Sequence, residues 1–472
     1  MINFVNVGPG GTFEASGDHA TEAAEIDALF QHLSSAGEKS LVVHFHGGLV
    51  SEGAGIEIAQ KMVPVYEAAG AVPLTFVWET GLIETFRDNL QNIHDTALFQ
   101  KLLKWQLRRA AQRFGGFEGR GAGVAIPMSK IEDELAKPRP FASYDDLATG
   151  KGAAARGGVA VTEADLDVLK QELQAEFQAD IDGDYTVIAE VDALAGRSPD
   201  AGARGLIEGL KTAKMLAAIA YRVIRRHIRG RDHGFYPTVV EELLRELYLA
   251  DLGAWVWGRM KDKATAMWLP NDGLSGDERR VGSYVLEKIA ALQTTRPDFR
   301  VDLVGHSAGS IAICEMLRAA AARDLAVRVN TITFLAPAGR SELGVAELVR
   351  HPDRFKQFRC YTMDDDYERE DQLVPKVYTR SLLYFISGVL EPDEVDAPIM
   401  GMMRHASGQG PFRNGPAADW AAFMTAQQRL VLSDNTVIDP SAVAGRRTSS
   451  RSHGGFDDDG PTRESLTELL RV

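Results

Sequence analysis

Short apolar runs alternate with helix-length segments along much of this chain, and that alternation is the strongest constraint on its fold. The runs cover residues 2–7, 40–45, 73–78, 300–304, 329–335 and 358–363. Segments 21–34, 56–69, 276–293 and 311–322 carry the spacing of helices that bury one side. A strand that is apolar at nearly every position has both faces covered. Strands alternating with helices then imply a parallel sheet packed on both sides. The expected class is α/β, with a mostly parallel sheet flanked by helices. The terminal PTRESLTELLRV reads as a closing helix.

The alternation breaks off between about 100 and 235, where the chain is charged and helical in pattern. A Gly/Ala/Pro-rich stretch, 137–158, reads as a mobile loop within it. With 472 residues there is room for more than one compact unit. The expected organisation is a first core segment 1–99, a helical insertion 100–234 that could serve as a lid or cap, and a second core segment 235–472.

A formal net charge of -14 argues against nucleic acid as the main partner, because phosphate binding needs a basic field. Two cysteines, Cys314 and Cys360, both in apolar runs, fit a reducing compartment rather than a disulfide framework. No secretory leader and no long uninterrupted apolar run is visible, so a cytoplasmic protein without a membrane span is expected.

Chemistry enters at VDLVGHSAGS, residues 301–310. Gly305, Ser307 and Gly309 fit G-x-S-x-G between an apolar run and a helix. On such a strand-to-helix bend the serine is lifted out of the sheet, and larger residues in place of the glycines would collide with backbone. The following helix N-terminus favours developing negative charge. A serine nucleophile needs a base and an orienting acid. His453, in the loop RSHGGFD with two glycines behind it, is the candidate base. The acid is expected after the run 358–363, among Asp364, Asp365, Asp366, Glu368, Glu370 and Asp371. Asp365 is favoured, with Asp371 second. An oxyanion site would draw one N–H from Ala308 and another from the HGG that ends LVVHFHGGL, from Gly48 or Leu49, with Gly48 favoured.

HFHGGL, GHSAG, the acidic loop and SHGGFD together resemble the α/β-hydrolase superfamily, in particular its lipase and esterase type and uncharacterised bacterial relatives. The resemblance covers roughly 1–100 and 235–472. It implies an eight-stranded, mostly parallel sheet, Ser307 as nucleophile, His453 as base and an Asp after the seventh strand. The expected activity is hydrolysis of a small-molecule or lipid ester through an acyl-enzyme, without metal or organic cofactor. The same residues would serve an acyltransferase, thioesterase or amidase. A hydrolase-shaped binding or signalling protein is the reading from a different class.

Other signals are weaker. His44 and His46 share a strand face, but the Asp-His that a metallo-hydrolase site needs does not follow. Asp180, Asp182 and Asp184 lack the Gly and Glu of a calcium loop. Gly150-Lys151-Gly152 lacks the rest of a phosphate loop. Segment 211–231 is apolar on one side and basic on the other, a pattern open to peripheral membrane contact as well as to internal packing. Trp255, Trp257, Met260, Met267 and Trp268 read as core or pocket wall. The oligomeric state leaves no mark in the sequence.

Overall fold

The computed structural model describes residues 2–15, 17–35, 37–48, 50–78, 83–114, 126–145, 163–184, 186–194, 205–248, 254–408, 410–433 and 445–471. Two compact units emerge: Met1–Ile83 with Trp255–Asp371 and Pro398–Val472, and Glu84–Ala254 with Gln372–Ala397.

The first unit is built on one sheet. Its strands are β1 (Phe4–Asn6), β2 (Ser40–Phe45), β3 (Val72–Val77), β4 (Arg300–His306), β5 (Val329–Leu335), β6 (Phe355–Met363) and β7 (Leu430–Ser433). They lie in the order β1-β3-β2-β4-β5-β6-β7, and every pairing is parallel. The class is α/β, as the alternation implies. Among the described residues the sheet has seven strands, where the resemblance implies eight. The acidic loop accordingly follows the sixth described strand, and only β7 lies beyond it.

Both sheet faces are covered, which is why the strands lack polar alternation. On one face Val42, Val304, Tyr361 and Val431 pack with Met62, Tyr66, Phe456 and Leu466, from or beside the helices Glu52–Ala68 and Gly460–Leu470. On the other, Trp268 meets the rings of Phe45 and Phe76 at 5.9 and 5.8 Å. Trp257, Met260 and Met267 are buried as well, while the Trp255 side chain lies outside the described ones.

Strand order sets the place of the site. The chain lays β1, β2 and β3 on one side, then crosses to β4 on the far flank of β2 and continues outward. In open parallel sheets the crevice at such a reversal, beyond the carboxyl ends of the strands, is where ligands bind. The residues that leave those ends are His46-Gly47-Gly48 after β2 and Ser307 after β4.

The second unit is helical among its described residues. It begins before residue 100, extends past 234 and recruits a separate segment, 372–397. The helix Phe235–Leu247 explains the difference: it is buried along almost its whole length among these residues. Its Glu241 and Glu242 bind Arg226, and its Arg245 donates to the carbonyls of Gly388, Val389 and Glu391. His233, just before it, bridges Glu241 and Asp396 at 2.7 and 2.9 Å.

Segment 211–231 runs largely within the helix Gly205–Ile228. Its apolar side, including Leu216, Ile219, Ala220 and Val223, is buried. On its basic side Arg222 binds Glu242 and Glu246, and Arg231 binds Glu394. Asp180 and Asp182 lie in the helix Glu163–Asp182, where Asp180 binds Arg109. Of 137–158, residues 137–145 are described, with Phe141 buried; 146–158, including Gly150-Lys151-Gly152, lie outside the described residues. No helix among the described residues is long and apolar enough to cross a membrane.

Candidate active site

The bend after β4 is tight because of what surrounds it. Ser307 has φ +52°, a left-handed conformation that costs energy for any residue with a side chain. Hydrogen bonds hold it there. Its N–H donates to the Leu335 carbonyl at 2.8 Å, and its own carbonyl accepts from Ala338 N–H at 3.0 Å. Ser310 Oγ donates to that same carbonyl at 2.7 Å. The glycines are steric necessities. A Cβ on Gly309 would lie 2.1 Å from the Phe45 carbonyl oxygen, and one on Gly305 would lie 2.8 Å from the Gly309 carbonyl group.

Ser307 is only 3% exposed and His453 6%. His453 opens the short turn His453–Gly455 after a loop of serines, and its Nε2 is 2.8 Å from Ser307 Oγ. Burial, aided by the charge of His306, pushes the His453 imidazole down to about 3, against the opposing pull of Asp457. The ring is therefore neutral at pH 7. If Nδ1 carries its proton, Nε2 is free to accept the serine hydroxyl hydrogen. Nδ1 is buried and has no hydrogen-bond partner among the described residues.

Neither expected acid stands against Nδ1. The carboxylate that meets His453 is that of Asp371, and it accepts the main-chain N–H at 2.8 Å. Asp365, favoured from sequence, is the first residue of the short helix Asp365–Glu370, which Asp364 caps by accepting Tyr367 N–H at 2.8 Å. Of the two candidates Asp371 is the one hydrogen-bonded to His453, at its main chain rather than its ring. Placement at a helix start accounts for Asp365, while the loop after that helix carries Asp371 to the histidine.

The HGG loop lies against the bend. A Cβ on Gly47 would be 3.4 Å from Ser307 Cβ, and one on Gly48 would be 3.0 Å from Ala308 Cβ, with the Met260 side chain beside it. His46 sets the loop's path. Its Nδ1 lies 2.7 Å from the Gly47 carbonyl oxygen, and its Nε2 accepts Trp78 N–H at 3.2 Å. Burial keeps that ring neutral, with its pKa lowered to about 4, so the proton sits on Nδ1 and donates to Gly47. A trans peptide places its N–H opposite its C=O, so Gly48 N–H faces away from His46. Ala308 precedes the helix Gly309–Ala322, where helix geometry leaves N–H groups without intrahelical acceptors. Leu49 lies outside the described residues.

Two functional candidates escape the sequence reading, His306 and Asp457. His306 Nδ1 is 2.7 Å from Asp457 Oδ2, and Nε2 is 2.9 Å from the His453 carbonyl oxygen. A carbonyl and a carboxylate both only accept, so both ring nitrogens donate and His306 is an imidazolium. Against the cost of burial, the Asp457 carboxylate raises the His306 pKa, and His306 in turn holds Asp457 well below the usual carboxylate range. The available signal was slight: a histidine inside the bend motif and an aspartate four residues after the candidate base.

On the sheet face below, His44 Nδ1 is 2.6 Å from the Tyr66 hydroxyl, and burial lowers its pKa to about 4. Among the described residues no group of three or more His, Cys, Asp or Glu is arranged to hold a metal ion. No protein-family model matches the chain, and neither curated proteins nor solved structures include a significant match.

Proposed function

We propose that this protein is a serine hydrolase of carboxylic esters, with an α/β-hydrolase type of core. The observation that carries the reading is the pair Ser307 Oγ and His453 Nε2, 2.8 Å apart, with the serine held at φ +52° on a strand-to-helix bend. A strained, buried serine hydroxyl aimed at a neutral imidazole is what nucleophilic attack requires.

Ser307 Oγ attacks the ester carbonyl as His453 Nε2 takes its proton. The N–H groups of Gly48 and Ala308 receive the oxyanion. When the tetrahedral intermediate collapses, Nε2 returns the proton to the leaving alcohol, and the acyl group stays on Ser307. Water then attacks the acyl-enzyme, its proton again passing to Nε2, and that proton returns to Ser307 Oγ as the carboxylic acid leaves. Asp371, bound to the His453 main chain, and the His306–Asp457 pair steady the base. Acyl transfer to another alcohol, thioester cleavage or amide cleavage would use the same atoms and differ in acceptor or leaving group.

One observation favours a second reading, a binding protein without turnover: His453 Nδ1 has no hydrogen-bond partner among the described residues. Fluorophosphonate labelling separates the two. The expected result is stoichiometric modification that disappears in Ser307→Ala and in His453→Ala. A protein that resists the probe while binding short-chain esters would overturn the hydrolase reading.

A further inference from the structure

We infer that His306 and Asp457 form a positioning pair, an imidazolium–carboxylate clasp that locks the turn carrying His453 onto the bend carrying Ser307. The inference rests on the serine-hydrolase reading and adds residues to it.

The argument is geometric. His306 precedes Ser307 and belongs to β4, the strand between β2 and β5, so its backbone has little freedom. Its ring spans to both ends of the 453–457 turn. Nε2–H holds the His453 carbonyl at 2.9 Å, and Nδ1–H holds the Asp457 carboxylate at 2.7 Å. Asp371 takes the His453 N–H at 2.8 Å. The main chain of His453 is thus gripped on both its N–H and its C=O. Where an acid on Nδ1 would orient the ring directly, here the backbone is fixed and the ring follows. The clasp is buried, with His306 5% and Asp457 4% exposed, so losing either partner strands a charge out of water.

Several charged or titratable groups surround the clasp. His44 and His46 approach from β2 and its loop, and Tyr66 from the helix Glu52–Ala68. His453 and Asp458 belong to the turn itself, and Asp371 to the loop after Asp365–Glu370. Burial and, after it, the charge of His306 oppose protonation of His453.

Two readouts test the pair. The first needs no turnover. In ¹⁵N-histidine NMR of the full chain, His306 should stay protonated on both nitrogens at pH 8, and Asp457→Asn should abolish this. A His306 that titrates near 6.5 in the wild type overturns the clasp. The second is the pH profile of fluorophosphonate labelling at Ser307. Wild-type labelling should stay level down to about pH 5, given the low histidine pKa. In His306→Gln the rate at pH 7 should fall about tenfold, and its acid limb should move to higher pH. A uniform loss with the limb unmoved would show a merely structural role and overturn the positioning. If the wild type is not labelled at all, the hydrolase reading fails, and the NMR result alone decides the pair.

Discussion

Gly309→Ala should damage the site out of proportion to the single methyl group it adds. The new Cβ would lie 2.1 Å from the Phe45 carbonyl oxygen and 2.9 Å from its carbon. Real Cβ contacts essentially never fall below 3.0 Å, so about 0.9 Å of relative movement is the minimum. Neither side can turn away, because both are backbone. Phe45 pairs with Phe76 on one flank and Gly305 on the other, and it leads directly into His46-Gly47-Gly48. Movement between Phe45 and Gly309 is therefore movement between the HGG loop and the Ser307 bend, the two halves of the proposed oxyanion site. A misplacement of about 1 Å costs on the order of 100-fold in rate, and overpacking costs roughly 1–3 kcal/mol in stability. The assay is the pseudo-first-order rate of fluorophosphonate labelling, run beside thermal unfolding. Gly454→Ala is the control, since a Cβ there meets nothing within 4 Å although it adjoins His453. A Gly309→Ala protein that labels within about threefold of wild type with an unchanged Tm would refute the steric argument.

Asp371→Asn weakens a charge-assisted bond to the His453 main chain and should slow labelling about 10- to 100-fold, whereas Asp365→Asn should stay within about twofold; the reverse order would make Asp365 the carboxylate that supports His453. His44, His46 and His453 are held neutral by burial, with pKa values of about 4, 4 and 3 against an ordinary 6.5, so the folded chain binds fewer protons than the unfolded one. Their contribution is complete above pH 6.5 and is lost as pH falls, by about 1 kcal/mol per group for each pH unit; His306 and His233, whose pKa values are raised, are protonated in both states below 6.5 and leave that slope alone. Calorimetric Tm should therefore drop between pH 6.5 and 5, and a flat or rising Tm would count against neutral burial. In the second unit, Arg226→Ala strips the arginine from buried Glu241 and Glu242 and should cost about 3–5 kcal/mol; unfolding curves that overlay those of the wild type would contradict the ion network.

Much of the architecture was legible because buried parallel strands leave continuous apolar runs. The runs at 40–45, 300–304, 329–335 and 358–363 fall within β2, β4, β5 and β6, and the other two overlap β1 and β3. β7 escaped because Leu430–Ser433 is a four-residue edge strand, alternately half-buried and buried, too short to stand out. The extent of the second unit escaped because the helix Phe235–Leu247 is buried by partners at 372–397, far away in sequence. At the site, local sterics were readable: Gly305 and Gly309 are crowded as the bend demands. The two glycines behind His453 differ: a Cβ on Gly454 would meet nothing within 4 Å, whereas one on Gly455 would lie 2.8 Å from the hydroxyls of Ser450 and Ser452. Which of six carboxylates in eight residues meets His453 was not legible, since it depends on where the loop after a short helix turns. The role of His306 was hidden for a similar reason, its carboxylate partner lying 151 residues away.

Ser307 and His453 lie 146 residues apart. A ribosome adding roughly 5–20 residues per second delivers the serine roughly 7–30 s before its histidine. Throughout that interval the nascent chain lacks the imidazole that lies 2.8 Å from Ser307 Oγ in the folded protein. Under the proposed serine-hydrolase reading, activation of Ser307 would begin only when the turn at 453 has been synthesised and docked.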